Sequence, residues 1–205
     1  MPACTRSDRW LELVLLDVAG KGLAAGTRAL MLSGATSGLL GAVPVENMMS
    51  ALNTYLWRQN WTDGFATAAY LAVELATGSY RLVTAGHPPV VHFHAGSGRW
   101  SQATERGPAL GVLEQAVWPV EIGNLSERDA ILLYTDGVVE ESGQDLSTGI
   151  DRMLGQAERF VLGGFAGGAE RLLAQSRGRD RDDCQAVLLW RDSGPAPRST
   201  PTAGT

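Results

Sequence analysis

The stretch Leu13-Val14-Leu15-Leu16-Asp17-Val18-Ala19-Gly20-Lys21-Gly22 decides how the rest of the chain is read. Four consecutive apolar residues suit a strand buried on both faces. The run stops at a carboxylate, so Asp17 would be held at the end of a stiff element. Gly20 and Gly22 permit positive φ and close approach to the backbone. From Leu23 the pattern turns helical. The stretch therefore reads as strand, acidic residue, tight turn, helix. Taken alone, it also fits an ordinary connection in which Asp17 is a turn or cap residue.

The same design recurs further along. Ala130-Ile131-Leu132-Leu133-Tyr134 is a strongly apolar run that ends in Thr135-Asp136-Gly137, and Asp182-Asp183 stand just before the apolar run from Cys184 to Trp190. If these strands are neighbours in a sheet, their carboxylates converge at one edge. Converging carboxylates raise one another's pKa unless a cation neutralises them. Hard divalent ions prefer such oxygen ligands, and an Asp-Gly pair leaves the following carbonyl free to reach a metal. Two ions roughly 3.5–4 Å apart suit the hydrolysis of a phosphate ester.

Working outward from the opening strand (10–18), the pattern predicts helices over 24–40 and 44–57, with Pro44 in the first turn of the second. Strands follow at 65–75 and 80–84 as a hairpin, then at 90–94, 117–122 and 130–134. Helices at 146–160 and 165–176 precede a last strand at 184–190. Residues 1–9 read as a flexible N-terminus, 10–192 as one domain, and 193–205, rich in Pro, Ser, Thr and Gly, as a disordered tail. Strands in blocks with segregated helices indicate α+β layers and not a doubly wound sheet. His92 and His94 alternate onto one face and could ligate a metal. No acidic or Cys partner adjoins them in sequence, so they read as surface or edge histidines. The run Gly20-Lys21-Gly22 is not a nucleotide phosphate loop, because the full Walker spacing is absent.

The totals narrow the function classes. The chain has 205 residues, 44% apolar and 19% charged, which fits a soluble globular protein. Its net charge of −5 argues against nucleic acid or an anionic membrane as main partner. Two cysteines, Cys4 and Cys184, make no disulfide framework. No apolar run reaches the length of a membrane span, and no signal-peptide core opens the chain, so a cytoplasmic location is expected. Asn124-Leu125-Ser126 matches a glycosylation sequon by chance.

Five motifs now stand in order: Asp17-Val18-Ala19-Gly20-Lys21-Gly22, Ala85-Gly86-His87-Pro88-Pro89, Gly107-Pro108-Ala109-Leu110-Gly111, Tyr134-Thr135-Asp136-Gly137-Val138-Val139-Glu140-Glu141 and Asp182-Asp183. Together they resemble the SpoIIE-like branch of the PPM (type 2C) metal-dependent serine/threonine phosphatases, from about residue 10 to residue 191. The resemblance implies a four-layer α-β-β-α sandwich, two mainly antiparallel sheets flanked by helices. It implies Mn²⁺ or Mg²⁺ at one end, two ions with the second held less tightly. Asp17 matches the bridging ligand, Val18 would contribute its backbone carbonyl, and Asp136 and Asp182 match further ligands, the three carboxylates serving catalysis through a metal-activated water. Gly20, Lys21, Gly22, His87, Gly137 and Asp183 would line or shape the site.

The implied activity is hydrolysis of phosphoserine or phosphothreonine, and the implied partner a phosphorylated regulatory protein of the anti-anti-sigma-factor type. A homodimer is compatible with it. The Gly-Gly-Asp strand that usually precedes the Asp17 strand in this family is missing, which implies an N-terminally truncated sandwich. A second reading follows from that absence: a catalytically impaired relative acting as a regulatory binding module or scaffold.

Overall fold

The computed structural model describes residues 1–61, 64–141, 143–175 and 184–192. Among the described residues are nine strands and four α-helices. The first sheet takes β1 (Pro2–Arg6), β2 (Trp10–Val18), β3 (Ala66–Glu74), β4 (Ser79–Ala85) and β7 (Glu121–Asn124), in that spatial order. The second takes β6 (Arg99–Gln102), β5 (Val91–His94), β8 (Ala130–Tyr134) and β9 (Ala186–Trp190). Every strand pair in both sheets is antiparallel. Helices α1 (Gly22–Leu39) and α2 (Met48–Arg58) cover the first sheet, and α3 (Leu146–Gly163) and α4 (Gly168–Gln175) cover the second.

Strand alternation explains why the apolar runs are continuous. Val14 and Leu16 of β2 face the helices with Leu32, Met48, Met49 and Leu52. Leu15, between them, faces the second sheet with Leu71, Leu82 and Leu133. In β8, Ile131 and Leu133 point between the sheets. Leu132 and Tyr134 point instead to α3 and α4, among Ile150, Met153, Phe160 and Leu172. Each central strand therefore carries apolar side chains on both faces, as the opening stretch implied, even though the sheets are antiparallel. Three apolar layers between four structural layers make the α-β-β-α sandwich.

Several expectations need correction. The lead-in at residues 1–9 contains β1, which runs along the outer edge of β2 from Pro2 opposite Leu15 to Arg6 opposite Leu11. Its half-buried residues, Ala3 and Thr5, are small and alternate with exposed ones, so it has no apolar run to announce it. The strand expected at 117–122 lies instead at Glu121–Asn124. Val117 is exposed, and Trp118 is turned away to pack on Gly107. β6 is an additional strand, paired with β5 across the turn at Ala95 to Gly98. The tail expected at 193–205 lies outside the described residues. Among the described residues no helix is long and apolar enough to cross a membrane.

Candidate active site

β2 delivers Asp17 as its penultimate residue, opposite Thr67 of β3. The chain then turns through Gly20 at φ +114° and Gly22 at φ +80°, a region that L side chains rarely adopt. Those two glycines let α1 begin directly after the strand. Lys21, between them, is extended and stands at the N-cap of α1 with no side-chain cap bond. Toward the turn, α1 presents only small residues, Ala25, Gly26 and Ala29. The room they leave is a cleft of ≈ 390 Å³, walled also by Asp17, Val18, Lys21 and Gln185.

Gln185 links this cleft to the second sheet. The Thr135 N–H donates to the Gln185 carbonyl at 3.0 Å, and the Gln185 N–H donates to Thr135 Oγ1 at 2.9 Å. Asp136, the next residue, opens a short 3₁₀ turn, Asp136–Val138. Its Oδ1 accepts the Gly137 N–H at 2.7 Å, and its carbonyl accepts the N–H groups of Val139 and Glu140. Asp17 and Asp136 thus leave the ends of strands in different sheets at the same end of the sandwich. The Gly137 carbonyl, expected to be free, accepts the Cys184 thiol at 3.1 Å instead. The start of β9 is thereby fastened to the Asp136 turn. Asp182 and Asp183 lie outside the described residues.

His87 belongs to the same end, because β2 and β4 both run antiparallel to β3 and so end together. The imidazole is buried, and its Nδ1 lies 3.0 Å from the Pro88 carbonyl. Nδ1 therefore carries the proton and donates it, and Nε2 has no hydrogen-bond partner among the described residues. Burial pushes the pKa of His87 down from 6.5 to about 4, and the hydrogen bond to Pro88, followed by the negative charge of Asp136, pulls it back only in part. The ring is neutral at pH 7.

The turn that carries His87 and the bend at Gly107 clasp each other. The Gly86 N–H donates to the Gly107 carbonyl at 2.8 Å, and the Gly107 N–H donates to the Thr84 carbonyl at 3.0 Å. Ala66 and Leu110 exchange both backbone bonds, which ties the second motif to the start of β3. Trp118 Nε1–H closes the bend by donating to the Pro108 carbonyl at 2.7 Å. Through Ala66, the second motif is tied to the residue of β3 that stands opposite Val18.

Sequence reasoning missed Gln185, whose buried Oε1 has no hydrogen-bond partner among the described residues. An orphaned acceptor on the wall that also holds Asp17 suits a cation or a donor ligand. The histidines of β5 also need correction. His92 is buried, and its Nε2 lies 3.2 Å from Oδ2 of Asp129, a partner distant in sequence. Burial, followed by the adjacent His94, lowers the pKa of His92.

Comparisons with known proteins bear on the family and the fold. The sequence profile of the family described as Stage II sporulation protein E (SpoIIE) matches residues 7–191. The phosphoserine phosphatase RsbP of Bacillus subtilis (strain 168) is 26% identical over 133 residues, which are 62% of this chain and 33% of RsbP. The chain thus spans about a third of the length of that curated relative. The crystal structure of the RsbU and RsbW domains of Rv1364c from Mycobacterium tuberculosis superposes with a TM-score of 0.77 at 28% identity, covering 92% of this chain and 53% of that one. The catalytic domain of the serine/threonine phosphatase PstP, solved with two manganese ions, superposes with a TM-score of 0.63 at 16% identity, covering 91% of this chain and 89% of that one. The last likeness is one of fold.

Proposed function

The chain belongs to the SpoIIE family of PPM-type phosphatases, and from that membership we propose that it is a metal-dependent phosphoprotein phosphatase acting on phosphoserine or phosphothreonine. The observation that carries the reading is the arrangement of Asp17 and Asp136. They come from the ends of β2 and β8, in separate sheets, at one end of the sandwich, and Gln185 joins the Asp17 cleft to the residue before Asp136. Asp17, Val18 and Gln185 share one wall of the cleft, and carboxylates with a backbone carbonyl are the oxygen donors that a hard divalent ion takes. Asp17, Val18 and Asp136, with Asp182, would hold Mn²⁺ or Mg²⁺. Such ions, when bound, lower the pKa of a water and neutralise charge on the phosphoryl oxygens.

The chain's own residues have separate tasks in this reading. Asp17 and Asp136 bind cation and are fixed by their strand ends. Lys21 and the uncapped amino end of α1 lie beside Asp17, where an incoming phosphoryl group finds a positive charge and backbone N–H groups. The small residues of α1 leave space for a phosphorylated side chain presented on a folded partner. Neutral His87 positions its loop through Nδ1–H and offers Nε2 as an acceptor. The RsbP and RsbU likenesses support a phosphorylated regulatory protein of the anti-anti-sigma-factor type as the partner.

The test is hydrolysis of p-nitrophenyl phosphate and of a phosphoserine peptide with Mn²⁺, with and without chelator. Wild type should be active only with metal. Asp136→Asn should lose at least about a hundredfold, more than the loss typical when a residue merely supporting a ligand is removed. Full activity in excess chelator or in Asp136→Asn would falsify the assignment. Turnover of small phosphoesters with none on a phosphorylated anti-anti-sigma-factor protein would keep the chemistry and reject the partner.

A further inference from the structure

A second group of ligand-type side chains lies at the other end of β8. Asp129 precedes this five-residue strand and Asp136 follows it, which separates the two carboxylates by about 20 Å. His92 and His94 stand two apart on β5 and share its inner face. Their rings lie 3.9 Å apart between centroids, tilted by 37°. One ligand atom from each of His92, His94 and Asp129 falls within 4.8 Å of the others. The residues arrive by two routes: β5 supplies both histidines, and the turn before β8 supplies the carboxylate.

The carboxylate is held firmly. Asp129 Oδ1 accepts the Ala95 N–H at 2.8 Å, and Oδ2 accepts the Ser126 N–H at 3.0 Å. His92 is oriented from both sides, with Nε2 3.2 Å from Asp129 Oδ2 and Nδ1 3.3 Å from the Tyr80 hydroxyl. His94 Nε2 lies 2.8 Å from Ser101 Oγ. The Tyr80 hydroxyl and Ser101 are outer partners of the kind that fix ring orientation in built metal sites. The histidines also open onto a cleft of ≈ 140 Å³ lined by Tyr80, Ser101 and Glu121. A fourth ligand, whether water or a side-chain oxygen, has room there.

We propose that His92, His94 and Asp129 form a second cation site, for a divalent ion of the zinc class. Two imidazoles and one carboxylate are a nitrogen-rich set that suits Zn²⁺, with three protein ligands and one open position. The oxygen donors around Asp17 suit Mg²⁺ or Mn²⁺ instead, so donor chemistry separates the two sites. A bound ion would tie the β5–β6 hairpin to the start of β8. The site is structural, at the end of the sandwich away from the cleft.

Zn²⁺ binding to the full chain, measured by calorimetry in saturating Mg²⁺, tests this independently of any phosphatase activity. Wild type and Asp136→Asn should each bind one equivalent with the same affinity. His94→Ala should bind at least about tenfold more weakly. His94→Gln, which keeps a side chain able to bond Ser101, should show the same loss. Far-UV dichroism in chelator establishes that each variant is folded. Co²⁺ in place of Zn²⁺ should give the visible absorption of a four-coordinate site in wild type and not in His94→Ala. The proposal is overturned if wild type takes up no equivalent. It is equally overturned if both His94 variants bind as wild type does, or if Asp136→Asn alone loses the ion.

Discussion

Gly86 sits at φ +60°, and a methyl group placed there would lie 2.7 Å from the Ala109 side chain and 2.8 Å from its Cα. Both the backbone conformation and the close approach of the second motif demand glycine. Gly86→Ala should therefore destabilise the fold by about 1–3 kcal/mol, combining left-handed strain with overpacking. A lower urea midpoint with an unchanged slope would show it; an unaltered midpoint would mean that the two motifs do not clasp. At this scale the sequence was informative where one residue type stands at a strand end. Asp17 and Asp136 were legible because an apolar run stops at each. Asp129 was not, because the histidines it meets lie on another strand and only the pairing of β5 with β8 brings them together. Gln185 gave no signal, being one polar residue before a strand.

α1 is an unusual element. Of its 18 residues only Leu32 and Thr36 are buried, and Leu23 and Leu30 are 90% and 74% exposed. Its apolar residues do not form one stripe, so its attachment depends on few contacts, among them Tyr55 of α2 donating to the Met31 carbonyl. Truncating the one buried leucine should matter far more than truncating an exposed one. Leu32→Ala should cost about 2–5 kcal/mol, and Leu30→Ala no more than about 0.5 kcal/mol, in chemical denaturation. Equal effects would mean that α1 is packed differently. The elements missed or misplaced from sequence share a cause. β1, β6 and β7 are edge strands of four or five residues with polar composition. Their formation depends on the hydrogen-bonding edge that a central neighbour offers and not on burial of their own side chains. The central strands, buried on both faces, announce themselves by apolar runs.

At the scale of the molecule, two sheets between two helical layers leave the strand ends as the places where polar groups can gather. One end collects Asp17, Asp136, His87 and Gln185; the other collects His92, His94 and Asp129. This division makes stability depend on pH through His87. Its folded-state pKa, about 4, lies below the 6.5 of the exposed imidazole. The unfolded chain therefore binds the extra proton between those values, and the folded state does not. The stabilisation is fully present above pH about 6.5 and is lost as the pH falls toward 4, a change of roughly 3 kcal/mol. His92, whose pKa is also lowered, adds to the loss in the same direction. Urea denaturation in chelator should show stability falling over this window in wild type. His87→Gln should flatten the fall while leaving the part due to His92. Equal slopes in the two proteins would mean that the His87 ring is not held neutral by burial, and that the loop it occupies opens to water before the sheets do.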